Sequence, residues 1–285
     1  MLFAKKIIRL SAILGLVCFI TPTQAQINSP FSRYGLGNEV FNSQNASSQA
    51  MGGFTTAYTS SMNGIYGQSI NFNNPASYGG LYMTTFDLGL NINSNTFKDD
   101  SLSARQKSNY MSPNYLAIGV PINKAKKIGM AFGLRQLTQI NYSLNKITFL
   151  PSSGDSIINN YKGDGGLNQV FLGIGKSWKH ISLGFNTGYN FGRKKIETRK
   201  SFLFNPDSTY FYQSLSSSNT LFSGIFFNAG IQGEYTIKTI SHKNTTDKTE
   251  YSIGFGATAS LDQSMSAKRD VLRSTGIFTA TADNP

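Results

Sequence analysis

The chain has 285 residues and a formal net charge of +12, yet charged residues make up only 14% of it, against 28 glycines, 21 phenylalanines and 14 tyrosines. Few charges beside many glycines and aromatics argue against an ordinary soluble domain and suit strands that face lipid on one side. The cations fall mainly in expected turns and loops, at Lys124, Lys126, Lys127, Arg193, Lys194, Lys195, Arg199 and Lys200; solvated loop charge near an anionic lipid surface accounts for them, and no nucleic-acid partner is expected.

The first expected element is a leader. Lys5, Lys6 and Arg9 precede an apolar run from Leu10 to Ile20, and Thr23-Gln24-Ala25 supplies small residues for cleavage. The pattern predicts a secretory signal peptide over residues 1–25, with a run too short to span a bilayer. Cys18, the only cysteine, sits within that run behind bulky Val17, which disfavours a lipoprotein signal. The mature chain is therefore expected to hold no disulfide. No later segment has about 18 consecutive apolar residues, so no membrane helix is expected.

Residues 26–80 show no clear alternation. They are rich in Asn, Ser and Gly and contain two glycine-punctuated pieces, SPFSRYGLGNEVF and SQAMGGFTTAYTSSMNGIYGQSINFNNPASYGG. Phe31, Tyr34, Leu36, Phe41, Met51, Phe54, Tyr58, Ile65, Tyr66 and Phe72 supply too much apolar surface for a solvated tail. A hatch folded inside a barrel lumen uses both the apolar residues and the amides.

From Thr85 the period becomes two. Phe86, Leu88, Leu90 and Ile92 oppose Asp87, Gly89, Asn91 and Asn93, and similar alternation follows around residues 116–120, 128–135, 172–176, 181–192, 224–232 and 251–257. Such alternation is the strand signature. Its polar face of Gly, Ser and Asn suits a wet or plugged lumen. The expected connections alternate short (Pro121–Lys126, Ser177–His180, Lys238–Lys248) and long (Lys98–Asn109, Ser143–Gly166, Thr198–Asn219, and everything after Ser260). Short periplasmic turns and long external loops are the rule for outer-membrane barrels. The fold class expected is thus all-β, a transmembrane antiparallel barrel over residues 81–285 preceded by the hatch, in the outer membrane of a Gram-negative cell. Seven strands is an odd count where single-chain barrels have even ones, so a longer gene product is expected.

Signals for an enzyme are poor. His180 and His242 fall in expected turns with no cysteine to join them, so neither a metal site nor a cofactor is expected. Gly175-Lys176-Ser177 is similar to the end of a phosphate-binding loop, but Val170 stands where that loop needs glycine, and the run ends a strand. Asp87, Arg135 and Glu234 are expected to be polar groups facing the lumen. Trp178, beside a short turn, reads as an interfacial belt residue.

An exported chain with a Gly-rich N-terminal segment ending in Asn74-Pro75-Ala76 just before the first long strand resembles the FadL/TodX family of outer-membrane transport barrels. The opening INSPFSRYGLGN resembles a Bacteroidota-type member. The resemblance covers residues 51–80 and the strand layout. It implies a barrel of about 14 strands in the full-length protein, about seven of them here, and places Asn74, Pro75 and Ala76 in the hatch. It further implies passive, hatch-gated uptake of hydrophobic small molecules, such as long-chain fatty acids and aromatic hydrocarbons, with a sideways exit through a gap made by a kinked strand. The expected partners are the lipid bilayer, lipopolysaccharide and that ligand. The alternative is a barrel that transports nothing and serves outer-membrane secretion or assembly machinery as shuttle or scaffold, as FadL-like barrels similar to PorV of the type 9 secretion system do.

Overall fold

The computed structural model describes residues 30–40, 48, 52–58, 68–99, 104–151, 156–202, 212–241 and 248–276. The expected leader over 1–25, Cys18 and His242 lie outside the described residues.

Among the described residues nine strands follow in chain order: β1 (Asn38–Glu39), β2 (Thr85–Asp99), β3 (Ala104–Asn123), β4 (Ile128–Phe149), β5 (Ser156–Ser177), β6 (Ile181–Phe202), β7 (Gln213–Ser241), β8 (Lys248–Ser260) and β9 (Ser266–Gly276). They form one antiparallel sheet in the order β2-β3-β4-β5-β6-β7-β8, with β1 added to β4 and β9 to β7. The sheet is a curled half-barrel, so the all-β class expected from the period-two pattern holds.

The alternation sorts side chains between two faces. Phe86, Leu88, Leu90 and Ile92 on β2 and Ile181, Leu183 and Phe185 on β6 point outward and are 44–72% exposed. An apolar band this continuous is tolerable against lipid and not against water. The inward face carries Ala117, Ala131, Asn186 and Gln232, all buried against the chain that precedes β2.

Four expectations about connections are corrected. Ser143–Gly166, Thr198–Asn219 and Lys98–Asn109 are not long loops: β4 continues to Phe149, β5 starts at Ser156, β6 runs to Phe202, β7 starts at Gln213, and β2 reaches Asp99 before β3 begins at Ala104. The chain after Ser260 is likewise not all loop, since β9 pairs with β7 from Ser223↔Ser266 to Gln213↔Gly276. Beyond the apolar band polar residues predominate on both faces of these strands, with Ile147, Phe149, Ile157 and Ile158 as exceptions, so the alternation that marks a strand in sequence fades while the ladder continues. β8 and β9 lie end to end against the 29-residue β7, interrupted at Leu261–Met265.

β3 and β4 pair only between Tyr115↔Arg135 and Asn123↔Ile128, and above that level they part. β1 occupies the freed edge of β4, with Asn38 opposite Gln139, Glu39 opposite Thr138 and the Val40 N–H donating to Leu137 O at 2.9 Å.

Candidate functional site

The stretch before β2 enters the lumen through a short 3-10 helix, Pro75–Gly80. Asn74 caps it in extended conformation, its Oδ1 accepting from the Ala76 N–H at 3.1 Å. Proline at the first helical position loses no hydrogen bond and presets φ for the turn. Pro75, Ala76, Ser77, Tyr78 and Gly79 are all buried.

Asn74 also ties this turn to its surroundings. Its Nδ2 donates to Thr56 O and, at 3.2 Å, to Ile231 O on β7, while its own N–H donates to Asn71 Oδ1 at 3.2 Å. Asn71 Nδ2 donates to Tyr58 O at 3.0 Å, and Ser77 Oγ to Asn74 O at 2.8 Å. A buried amide group is costly unless paired, so these bonds fix the turn's position as well as its shape.

The wall answers with amides and with small residues. Asn186 Nδ2 on β6 donates to Phe72 O at 3.0 Å, Asn228 Nδ2 on β7 to Asn73 O at 3.4 Å, and Gln232 Nε2 to Ala57 O at 2.8 Å. Asn186 and Asn228 are register partners. A Cβ at Gly184 would overlap the Pro75 carbonyl, and one at Gly230 would overlap the Asn74 side chain. Both glycines are required by close approach, and together they make a seat for the turn.

The lumen beside this seat is filled. Phe72 packs edge-on to Tyr115 at 5.1 Å and against Phe171 at 5.6 Å, and it belongs to one buried cluster with Ile70, Tyr78 and Leu81. Full burial of a side chain such as Phe72 contributes about 2–3 kcal/mol. Arg135 lies over the Phe72 ring at 5.0 Å, with Nη1 donating to Asn73 Oδ1 and Nε to Gln169 Oε1, each at 2.6 Å. Asp87 accepts from the Ile70 N–H at 3.2 Å and from the Tyr115 hydroxyl at 3.0 Å. Burial pushes the Tyr78 phenol well above its ordinary range, the opposing pull of Asn186 and Arg135 being smaller.

Asn74, Pro75, Ala76, Asp87 and Arg135 are therefore brought together around one seam. Glu234 is not part of it. Its Oε1 accepts from Ser252 Oγ at 2.8 Å, and it lines an open cleft of about 320 Å³ at the end carrying the short turns, with Gly79, Lys124, Lys127 and Trp178. Gly175-Lys176-Ser177 ends β5 as a strand, where a Cβ on Gly175 would meet the Pro75 carbonyl. Among the described residues no group of three or more His, Cys, Asp and Glu side chains could hold a metal ion.

The wall amides were not singled out from sequence, although a signal exists. Phe185-Asn186-Thr187-Gly188 and Phe227-Asn228-Ala229-Gly230 repeat one Phe-Asn-x-Gly pattern on neighbouring strands, with its two asparagines side by side. In comparisons with known proteins, a family model described as BamG matches residues 3–276. No curated protein and no solved structure matches the chain.

Proposed function

The chain belongs to the BamG family, and from that premise we propose that it is an outer-membrane barrel serving barrel-assembly machinery as a plugged scaffold. The observation that carries the reading is the filled lumen: the turn at Asn74–Gly80 is bonded to β7, flanked by bonds from β6 and β7 to Phe72 and Asn73, and packed around Phe72, Tyr78 and Arg135. Moving a ligand past that point means breaking several buried hydrogen bonds together, each costing about 1–3 kcal/mol if left unmade. A scaffold has no need to break them. In this reading the outward apolar band holds the barrel in the bilayer, and the polar rims are left for partner subunits.

The second reading is hatch-gated uptake of fatty acids or hydrocarbons by a FadL/TodX-type channel. It is favoured by one observation, the seating of the Asn74-Pro75-Ala76 turn in the lumen. The test purifies the full-length protein in neutral detergent from its outer membrane. Stoichiometric co-purification of barrel-assembly subunits, with no lipid in the lumen and no uptake in vesicles, supports the scaffold. Hydrocarbon or fatty acid bound at one per chain, with vesicle uptake and no stable partner, overturns it.

A further inference from the structure

Opposite the end carrying the short turns, the inward face changes character. Lys194 on β6 is register partner of Thr220 on β7, which is register partner of Arg269 on β9. Opposed residues share a face, so both cations look into the same vestibule across two strand spacings, about 10 Å of backbone. Arg33, from the segment before β1, joins them: Lys194 Nζ donates to Arg33 O at 3.1 Å and to Gly35 O, and the Arg33 guanidinium stands 5.3 Å from the Tyr161 ring centre. The charges of Arg33 and Arg269 are both felt at Lys194. By register, Lys146, Lys200 and Arg273 lie on the same face.

The acids of these strands are placed elsewhere. Asp164, Glu197 and Asp270 all occupy outward register positions, where Asp164 pairs with Arg193 at 3.0 Å and Glu197 with Arg199 at 3.4 Å. Among the described residues of β4, β5, β6, β7 and β9, the inward face has one carboxylate, Glu234, at the opposite end. Glu39 on β1 stands three strands away from β6 and in register with Gly192, two residues short of Lys194. Like charges gathered without a counter-charge destabilise the fold that gathers them.

We propose that this vestibule is an anion site for phosphate groups, with Arg33, Lys194 and Arg269 as its ligands. Phosphate suits it better than an acidic polypeptide because the free donors are few and converge. Two of the three Lys194 protons are committed to Arg33 O and Gly35 O, and Arg269 Nε is committed to Ser218 Oγ at 2.8 Å, which leaves one ammonium donor, the outer edge of the Arg269 guanidinium and the Arg33 guanidinium beside Tyr161. A compact oxyanion with several lone pairs uses that set, and a guanidinium grips it in two places. The phosphate arrives either free or on the headgroup of a phosphorylated outer-leaflet glycolipid. The site does not depend on the scaffold reading and requires no partner protein.

The experiment follows thermal unfolding of the full-length protein in uncharged detergent, with inorganic pyrophosphate and, separately, with diphosphorylated lipid A in mixed micelles. Either additive should raise the melting temperature, and which one does so identifies the source. Lys194→Gln with Arg269→Gln should weaken the response at least ten-fold. Ser218→Asp, which sets a carboxylate beside Arg269, should melt higher than the parent without any additive and no longer respond. Lys124→Gln with Lys127→Gln, at the far end, should respond like the parent. No response to either additive, an undiminished response in Ser218→Asp, loss of response in the far-end variant, or a response to polyglutamate alone overturns the proposal.

Discussion

Asn74 holds more of the hatch than its size suggests, since one side chain caps the turn, reaches Thr56 and bonds the β7 wall. Asn74→Ala should weaken docking of the turn before β2 by about 2–4 kcal/mol, the sum of a lost cap and unpaired buried carbonyls; limited proteolysis reads this as early cleavage before β2. Tyr78 supplies a pH test. Burial raises its phenol in the docked state, so that state binds the proton more tightly than the undocked chain does. Docking is then at full strength below about pH 10 and weakens as the pH rises beyond it. Tyr78→Phe should flatten the alkaline part of the profile, and an unchanged profile in that variant would assign the loss to other groups. The Asn-Pro-Ala turn was legible because proline after a capping asparagine has few uses. The wall amides were not, because an Asn on a polar strand face looks the same whether it meets water or a buried carbonyl.

At the scale of elements, the ladder runs further than its sequence signature. Ile181 to Phe191 alternates plainly, but Arg193 to Phe202 continues the same strand with cations on both faces. β9, Ser-Ala-Lys-Arg-Asp-Val-Leu-Arg-Ser-Thr-Gly, has no apolar face and exists because β7 offers it an edge. Period-two patterning reports where lipid is, and backbone pairing needs no lipid. β1 is equally silent in sequence, being two residues seated where β3 and β4 part. Its approach depends on Gly37, at φ 104°, where a Cβ would overlap Ile140 and the Gln139 carbonyl. Gly37→Val should release β1 from β4, read as faster hydrogen exchange at the Val40 amide with the Asn74 region unchanged. Pro75→Ala acts on the neighbouring element by freeing the undocked chain. About 0.4–1 kcal/mol of docking should be lost, visible as partial loss of protease protection before β2.

For the whole molecule, the outward apolar band and the inward amide seat together place the sheet at a boundary between lipid and a packed interior. Leu172, 50% exposed in the middle of that band on β5, tests the orientation. Leu172→Arg should cost about 2–4 kcal/mol of membrane insertion, measured as lost reconstitution into vesicles, whereas the same change at an outward position above the band, such as Asn160, should cost little. The bond from Asn74 to Ile231 spans 157 residues of sequence. That separation fixes an order of events. The hatch precedes every long wall strand in the chain, yet its seat is incomplete until the seventh strand, β7, has been made and delivered. Contacts so distant along the chain form slowly. During biogenesis the hatch therefore docks late, since Asn73, Asn74 and Ala57 find their β7 partners only once that strand is in place.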